Sequence, residues 1–268
     1  PSTGEPDYMQ NPVRNMRMVL PRERLLERKG ISNLLNSITG GSTQHSVHVP
    51  MEHMDKILWQ GVMRQNTVAP PLIRLNCEQF VRSLMFGEAV QTGAVAGAVG
   101  GRPYVEYFSD PFIIGLEDEN ANSLYRILKE LEQGGLPQEY YIFNTGGVGA
   151  ESNNETSGDR YKKITRELTL MLQESILREA VKFEFDRELG ADVAVAIVDD
   201  SGNELIDFRG EWIPSYIYDD AEYRRRISES KYKRYYGESP EDKSGILRYT
   251  KVISSVFDWD DVPAPRDV

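Results

Sequence analysis

Cysteine is almost missing from this 268-residue chain: Cys77 stands alone. No internal disulfide can form, and with no secretory signal pattern at the start the expected compartment is the reducing cytoplasm. Long apolar runs are missing too, and nothing approaches the roughly 18 residues of a membrane span. Positive charge is in short supply, with 31 Lys and Arg against 42 Asp and Glu and a net charge of −11. A nucleic-acid partner needs a basic surface, so that class is set aside, although a local basic pocket stays open. Histidine is confined to His45, His48 and His53. In a strand reading of HSVHV the first two point to opposite faces, so no metal site is expected. The sequence contains no Ser-His-Asp, Cys-His or HExxH arrangement. The glycine-rich run GEAVQTGAVAGAVGGRP (87–103) lacks the Lys-Ser or Lys-Thr that completes a phosphate-binding P-loop.

What is present is ordinary globular composition, 40% hydrophobic and 10% aromatic, on a chain long enough to bury a sizeable core. The most informative stretch runs from Tyr140 to Glu188. Tyr140–Phe143 reads as a buried strand and Asn144–Gly158 as a polar, glycine-rich loop. A long amphipathic helix is expected from near Asp159, with Ile164, Leu168, Met171, Leu172, Ile176 and Ala180 on one stripe. Asn144, Thr145, Gly146, Gly147 and Gly149 allow positive φ and close approach to the backbone, which an anion or a nucleotide base requires. An ordinary surface connection uses the same residues.

The opening at Pro1, without a methionine, reads as a cut or processed terminus. Residues 1–14 then read as a lead-in, and Asn15–Leu25 as a brief strand stopped at Pro21 within the most basic stretch of the chain. Residues 29–46 read as a loop. A strand is expected after Asp55 and another over Leu72–Leu75. Asn76 and Gln79 form a capping-box pattern opening a helix that ends near Gly87, with Phe80, Val81, Leu84 and Met85 inward. Tyr104–Gly115 reads as strand broken at Pro111, and Asn122–Glu132 as a short helix closed by Gly134 and Gly135. Ala191–Phe208 reads as a hairpin turning at DDSGN. Residues 219–237 form a charged helix whose basic face (Arg224, Arg225, Arg226, Lys231, Lys233, Arg234) is expected in solvent. FDWDDVPAPRDV, from Phe257 on, reads as an irregular tail.

Several segments, in order, resemble the C-terminal, nucleotide-binding half of ATP-type phosphoenolpyruvate carboxykinase. NMRMVLP (15–21) is similar to the family's Asn-x-Arg segment, and APPLIRLNCEQF (69–80) to its Pro-Pro, short-strand, Leu-Thr-x-x-Gln run. FGEAVQTGAVAGAVGG stands where the family has its Ala-Gly-Thr-Glu loop, and YFSDPFI (107–113) looks like a shortened form of its Phe-Ser…Pro-Phe segment. FNTGGVG and GDRYKKITREL resemble the Asn-Thr-Gly loop and the following Gly-Lys-Arg to Thr-Arg segment. The fragments span most of residues 11–190.

The resemblance implies an α/β fold with a mixed sheet and flanking helices. It implies domain bounds of 1–14 (lead-in), 15–215 (partial mononucleotide-binding domain) and 216–268 (helix and tail). By resemblance Arg17 contacts substrate and the transferring phosphoryl group, while Asn144, Thr145, Gly146, Arg160 and Thr165 seat adenine and ribose of a weakly held ATP. The departures are substantial. The P-loop lysine and the metal-binding Lys, His and Asp that precede Asn-x-Arg in the family are not in this sequence. Ala98 and Val99 replace Thr-Glu, and the Arg160-to-Thr165 spacing is one residue short. Phosphoryl transfer leans on positioned metal and cations. A divalent metal is therefore expected only with the missing part, supplied by a second chain or an N-terminal portion. The alternative is a non-catalytic descendant kept as an interaction scaffold.

Overall fold

A computed structural model describes residues 55–90, 103–108, 115–237, 245–249, 251–252 and 256. The chain divides into two compact units, Pro1–Asp55 and Lys56–Val268. All described residues but Asp55 belong to the second. Arg17, the three histidines, the glycines at 93–101, Pro111 and the tail from Phe257 lie outside the described residues.

The second unit is a mixed α/β fold. Its strands are β1 (Ile57–Met63), β2 (Leu72–Leu75), β3 (Gly87–Val90), β4 (Pro103–Glu106), β5 (Gln138–Asn144), β6 (Gly147–Val148), β7 (Lys162–Lys163), β8 (Val181–Asp186), β9 (Ala191–Val198) and β10 (Glu204–Asp207). The α-helices are α1 (Cys77–Met85), α2 (Glu117–Gln133), α3 (Arg166–Leu177), α4 (Arg209–Trp212), α5 (Pro214–Ile217) and α6 (Asp220–Tyr236). Among the described residues six strands make the main sheet. β1 runs parallel to β5, β5 antiparallel to β2, and β2 antiparallel to β9. β8 lines one edge of β9 along its length. The other edge is shared, β2 pairing at Asp192–Val193 and β10 at 196–198.

The run YYIF explains why β5 lies inside this sheet. Tyr140 and Ile142 point into one core, with Phe80, Val81, Met85, Leu128 and Tyr235. Tyr141 and Phe143 point into the other, with Leu72, Leu168, Leu172, Val193 and Val195. A strand covered on both faces needs a continuous apolar run rather than alternation. Leu72, Leu128 and Leu172 are fully buried, each worth about 1.5–3 kcal/mol relative to an exposed side chain. Ile246, Tyr249 and Val256 share the first core. Among the described residues no helix is long and apolar enough to cross a membrane.

Several expectations hold at residue level. The capping box is complete, Asn76 Oδ1 accepting from Gln79 N at 2.8 Å and Gln79 Oε1 from Asn76 N at 3.0 Å. The Ala191–Phe208 hairpin forms as β9 and β10. α2 closes at Gly134 and Gly135 but begins at Glu117, earlier than its apolar spacing indicates. The small-residue run from Gly87 starts as β3, paired with β4.

The helix expected from Asp159 to beyond Ala180 is shorter at both ends. At its start, β7 pairs with β6 before Thr165 caps α3, its Oγ1 accepting from Leu168 N at 3.2 Å. At its end Glu179 takes φ 56°. Ala180 N then donates to Ser175 O and Glu179 N to Ile176 O, the paired bonds of a Schellman stop. VKFEFD then forms β8. The stop carries glutamate where glycine is usual, so residue type alone gives no sign of it.

Candidate functional site

The Asn144 turn is built against the segment after β1. Asn144 is buried, and its amide makes four bonds. Oδ1 accepts from Gln65 N and Gly146 N, both at 3.0 Å, and Nδ2 donates to Ala69 O at 2.7 Å and Gly147 O at 3.1 Å. Gln65 completes the 65–69 turn, its Oε1 accepting from Val68 N at 2.9 Å and Ala69 N at 2.6 Å. Thr145 donates twice to Met63 O, from N at 2.9 Å and Oγ1 at 3.1 Å. Gly147 N, Gly149 N and Ala150 N donate to Gln65 O, Thr67 O and Asn66 O. The donors of residues 145, 147, 149 and 150 therefore bind the end of β1 and the segment after it, that of Gly146 binds the Asn144 side chain, and this turn presents little free N–H to an anion.

Its glycines are required by contact. A Cβ at Gly146 would sit 2.2 Å from Gln65 O, and one at Gly149, where φ is +86°, would sit 2.1 Å from Arg160 O. This closeness brings the two sequence-predicted segments together. Ile164 N donates to Gly146 O at 2.9 Å, and β6 and β7 pair through Gly147–Lys163 and Val148–Lys162. Backbone of Arg160 and Ile164 thus lies against the Asn144 turn. Side-chain roles differ from residue to residue: Asn144 is a buried clamp, Thr145 ties the turn to β1, and the Thr165 hydroxyl caps α3.

Arg160 reaches across to α6. Nη1 and Nη2 donate to the two carboxylate oxygens of Glu222 at 2.7 and 3.1 Å, and Nη2 also to Glu151 at 2.7 Å. Arg226, expected in solvent, is buried here. Its Nε donates to Glu222 at 2.9 Å, its Nη2 to Glu151, and its Nη1 to Ala150 O at 3.2 Å and Glu151 O at 3.3 Å. Both guanidinium groups lie over the Tyr218 ring, 5.0 Å away for Arg160 and 4.6 Å for Arg226. Guanidinium groups favour such aromatic faces. The two arginines hold the carboxyls of Glu151 and Glu222 below the usual carboxylate range, Arg160 being the larger cause for each. Those carboxylates in turn raise Arg160 further, Glu222 first.

Sequence reasoning missed Glu151, Tyr218, Glu222 and Arg226. The one available signal was Asp219-x-x-Glu222 at the start of α6. Asp219 caps that helix, accepting from Glu222 N at 2.9 Å, while the Glu222 carboxylate turns to the arginines instead. Among the described residues no group of His, Cys, Asp or Glu stands together in a way that could hold a metal, so these residues offer no donor set for the cation the resemblance implies.

No family profile matches this sequence. Over 127 residues, 47% of the chain, it is 31% identical to phosphoenolpyruvate carboxykinase (ATP) of Aeropyrum pernix. The matched part covers 22% of that protein, so the chain spans well under two thirds of its relative's length. The chain thus has a distant, partial similarity to ATP-type phosphoenolpyruvate carboxykinase.

Proposed function

We propose that this chain is the C-terminal part of an ATP-type carboxykinase-like protein and binds the nucleoside end of ATP. Asn144, Thr145 and Gly146 form one wall of the pocket, and Arg160 and Thr165 belong to the adjoining wall. Arg17 contributes to phosphoryl transfer, and the P-loop and metal ligands come from another chain or an N-terminal portion. The observation carrying this reading is the apposition of the two segments: Ile164 N bonds Gly146 O at 2.9 Å, and Gly149 leaves no room for a Cβ beside Arg160 O. The partial similarity to a protein named for its use of ATP supports it.

A second reading, a non-catalytic interaction scaffold, is favoured by a different observation. The Arg160 guanidinium is engaged by both oxygens of Glu222 and by Glu151, so a nucleotide must compete with carboxylates already in place.

Calorimetric titration with ATP, ADP and adenosine separates the two. Under the first reading binding is saturable but weak, and Arg160→Ala weakens it about tenfold, the worth of one charge-assisted hydrogen bond. Glu222→Gln, which loosens the competing pair, tightens it. Absence of saturable binding even with a P-loop-bearing part restored removes the nucleotide reading and leaves the scaffold.

A further inference from the structure

Charge beside the Asn144 turn runs against the rest of the molecule. The chain carries −11 overall, yet Arg64, Lys162 and Lys163 are exposed here. Among the described residues none of the three is paired with a carboxylate. Two of them close on Gly147. Lys163 is its partner across the β6–β7 ladder, and the Gly147 N–H donates to Gln65 O at 2.9 Å, which sets Arg64 one residue away. The Tyr161 ring lies over the same glycine, 2.4 Å from where a Cβ would sit. Side chains alternate along an extended segment, so Lys163 shares the Tyr161 side of β7 and Lys162 takes the other. Arg64 is close enough to Tyr161 to favour its phenolate, against the larger opposing effect of burial.

The turn cannot hold an anion through its own backbone, because the N–H groups of residues 145–147, 149 and 150 are already bonded. Unpaired side-chain cations are the groups left to do so. Arginine and lysine make strong, charge-assisted hydrogen bonds to phosphate oxygens.

We infer that Arg64 and Lys163 hold the phosphate tail of the bound nucleotide where it leaves the nucleoside pocket, so that this chain tells a nucleoside from its polyphosphate without a P-loop. This role rests on the nucleotide reading and adds to it, since there the chain contacts the nucleoside end and a P-loop is supplied from elsewhere.

Calorimetric titration of the full chain with ATP, adenosine and inorganic tripolyphosphate tests it. In low salt ATP is expected to bind about tenfold more tightly than adenosine or better, since a hydrogen bond to a charged group carries about that factor. The gap should narrow in about 1 M salt, where exposed charges are screened within about 3 Å. Tripolyphosphate, charged but without a nucleoside, should bind more weakly than ATP. Arg64→Gln with Lys163→Gln should bring ATP down to the level of adenosine and leave adenosine unchanged. Arg126→Gln with Arg187→Gln removes the same charge from exposed positions on α2 and the β8–β9 turn, and should leave the ATP-to-adenosine ratio as it was. A melting curve checks each fold; should a variant fail to fold, the three-ligand contrast and its salt dependence on the unaltered chain decide. Equal binding of ATP and adenosine, tripolyphosphate binding as tightly as ATP, an unmoved ratio in the folded Arg64 and Lys163 variant, or an equal loss in the Arg126 and Arg187 variant would each overturn the assignment while adenosine binding leaves the nucleotide reading standing. No saturation by either ATP or adenosine removes both.

Discussion

Replacing Asn144 by alanine tests the clamp at its most committed point. The amide satisfies two buried donors, Gln65 N and Gly146 N, and two acceptors, Ala69 O and Gly147 O. Alanine removes all four bonds together. At about 1 kcal/mol for each group left behind, the low end of the cost of a buried unsatisfied polar atom, the loss is about 4 kcal/mol. That is a large share of a domain stability of about 5–15 kcal/mol. In urea, with a slope of about 2.5 kcal/mol per molar, the unfolding midpoint should fall by about 1.5 M at unchanged slope. A shift below about 0.3 M, corresponding to less than about 1 kcal/mol, would refute the reasoning, because water would then be replacing the amide at little cost. Asn144→Asp supplies the sign. Its second oxygen would face Ala69 O and Gly147 O, so the folded state favours the protonated acid and raises its pKa. The variant is then closest to the parent at low pH and loses stability as pH rises through the unfolded carboxyl range.

Gly149→Ala should cost about 3 kcal/mol or more, read as a lowered melting midpoint, because strain from its φ of +86° adds to a Cβ contact of 2.1 Å with Arg160 O. Gly135→Ala is the control: its φ is +81° but nothing lies within 4 Å of its Cβ, so about 1 kcal/mol is expected. Glu204, held at about 2 first by Arg209 and then by Lys182, has a folded pKa below its unfolded value. Its contribution is present above the unfolded pKa and is lost as pH falls toward 2, so Glu204→Gln should flatten the urea midpoint between about pH 5 and pH 2. Thr165→Ala should lower stability by about 1 kcal/mol in the same assay, the usual worth of a helix N-cap.

Local chemistry was readable in the sequence. Asn76 and Gln79 announce α1, the apolar spacing from Leu168 to Ile176 announces α3, and YYIF announces a strand covered on both faces. The mixed α/β class followed from such elements and the order of resembling fragments. Three features escaped. The end of α3 depends on Glu179 at positive φ, a conformation glutamate does not advertise; Glu179 also pairs with Lys56 at 2.7 Å, far away in sequence. β8 was absorbed into the helix although Val181, Phe183 and Phe185 alternate with charged residues at the period of a strand, because no glycine or proline marks the stop before it. At the candidate site, Arg160 was legible as a residue of interest, but its partners Glu222 and Arg226 lie on a helix that looked like a solvated charged surface. Pairing across the chain is decided by tertiary contact, and spacing along it carries no record of the partner.

The shared edge of β9 also bears on how the molecule assembles. β8, β9 and β10 join through the turns at 187–190 and 199–203, so this meander closes with little loop entropy. β2 must come from residues 72–75 to finish the same edge, and β1 and β5 pair across a comparable span of sequence. Contacts of low sequence separation form fastest. The meander is thus the natural template, with a half-empty flank that recruits β2 and, behind it, β5 and β1. Amide exchange during refolding should protect Val193–Ile197 from the β8 side before Leu72–Leu75, and the Asn144 turn, which needs both β1 and β5, should be among the last parts to lock.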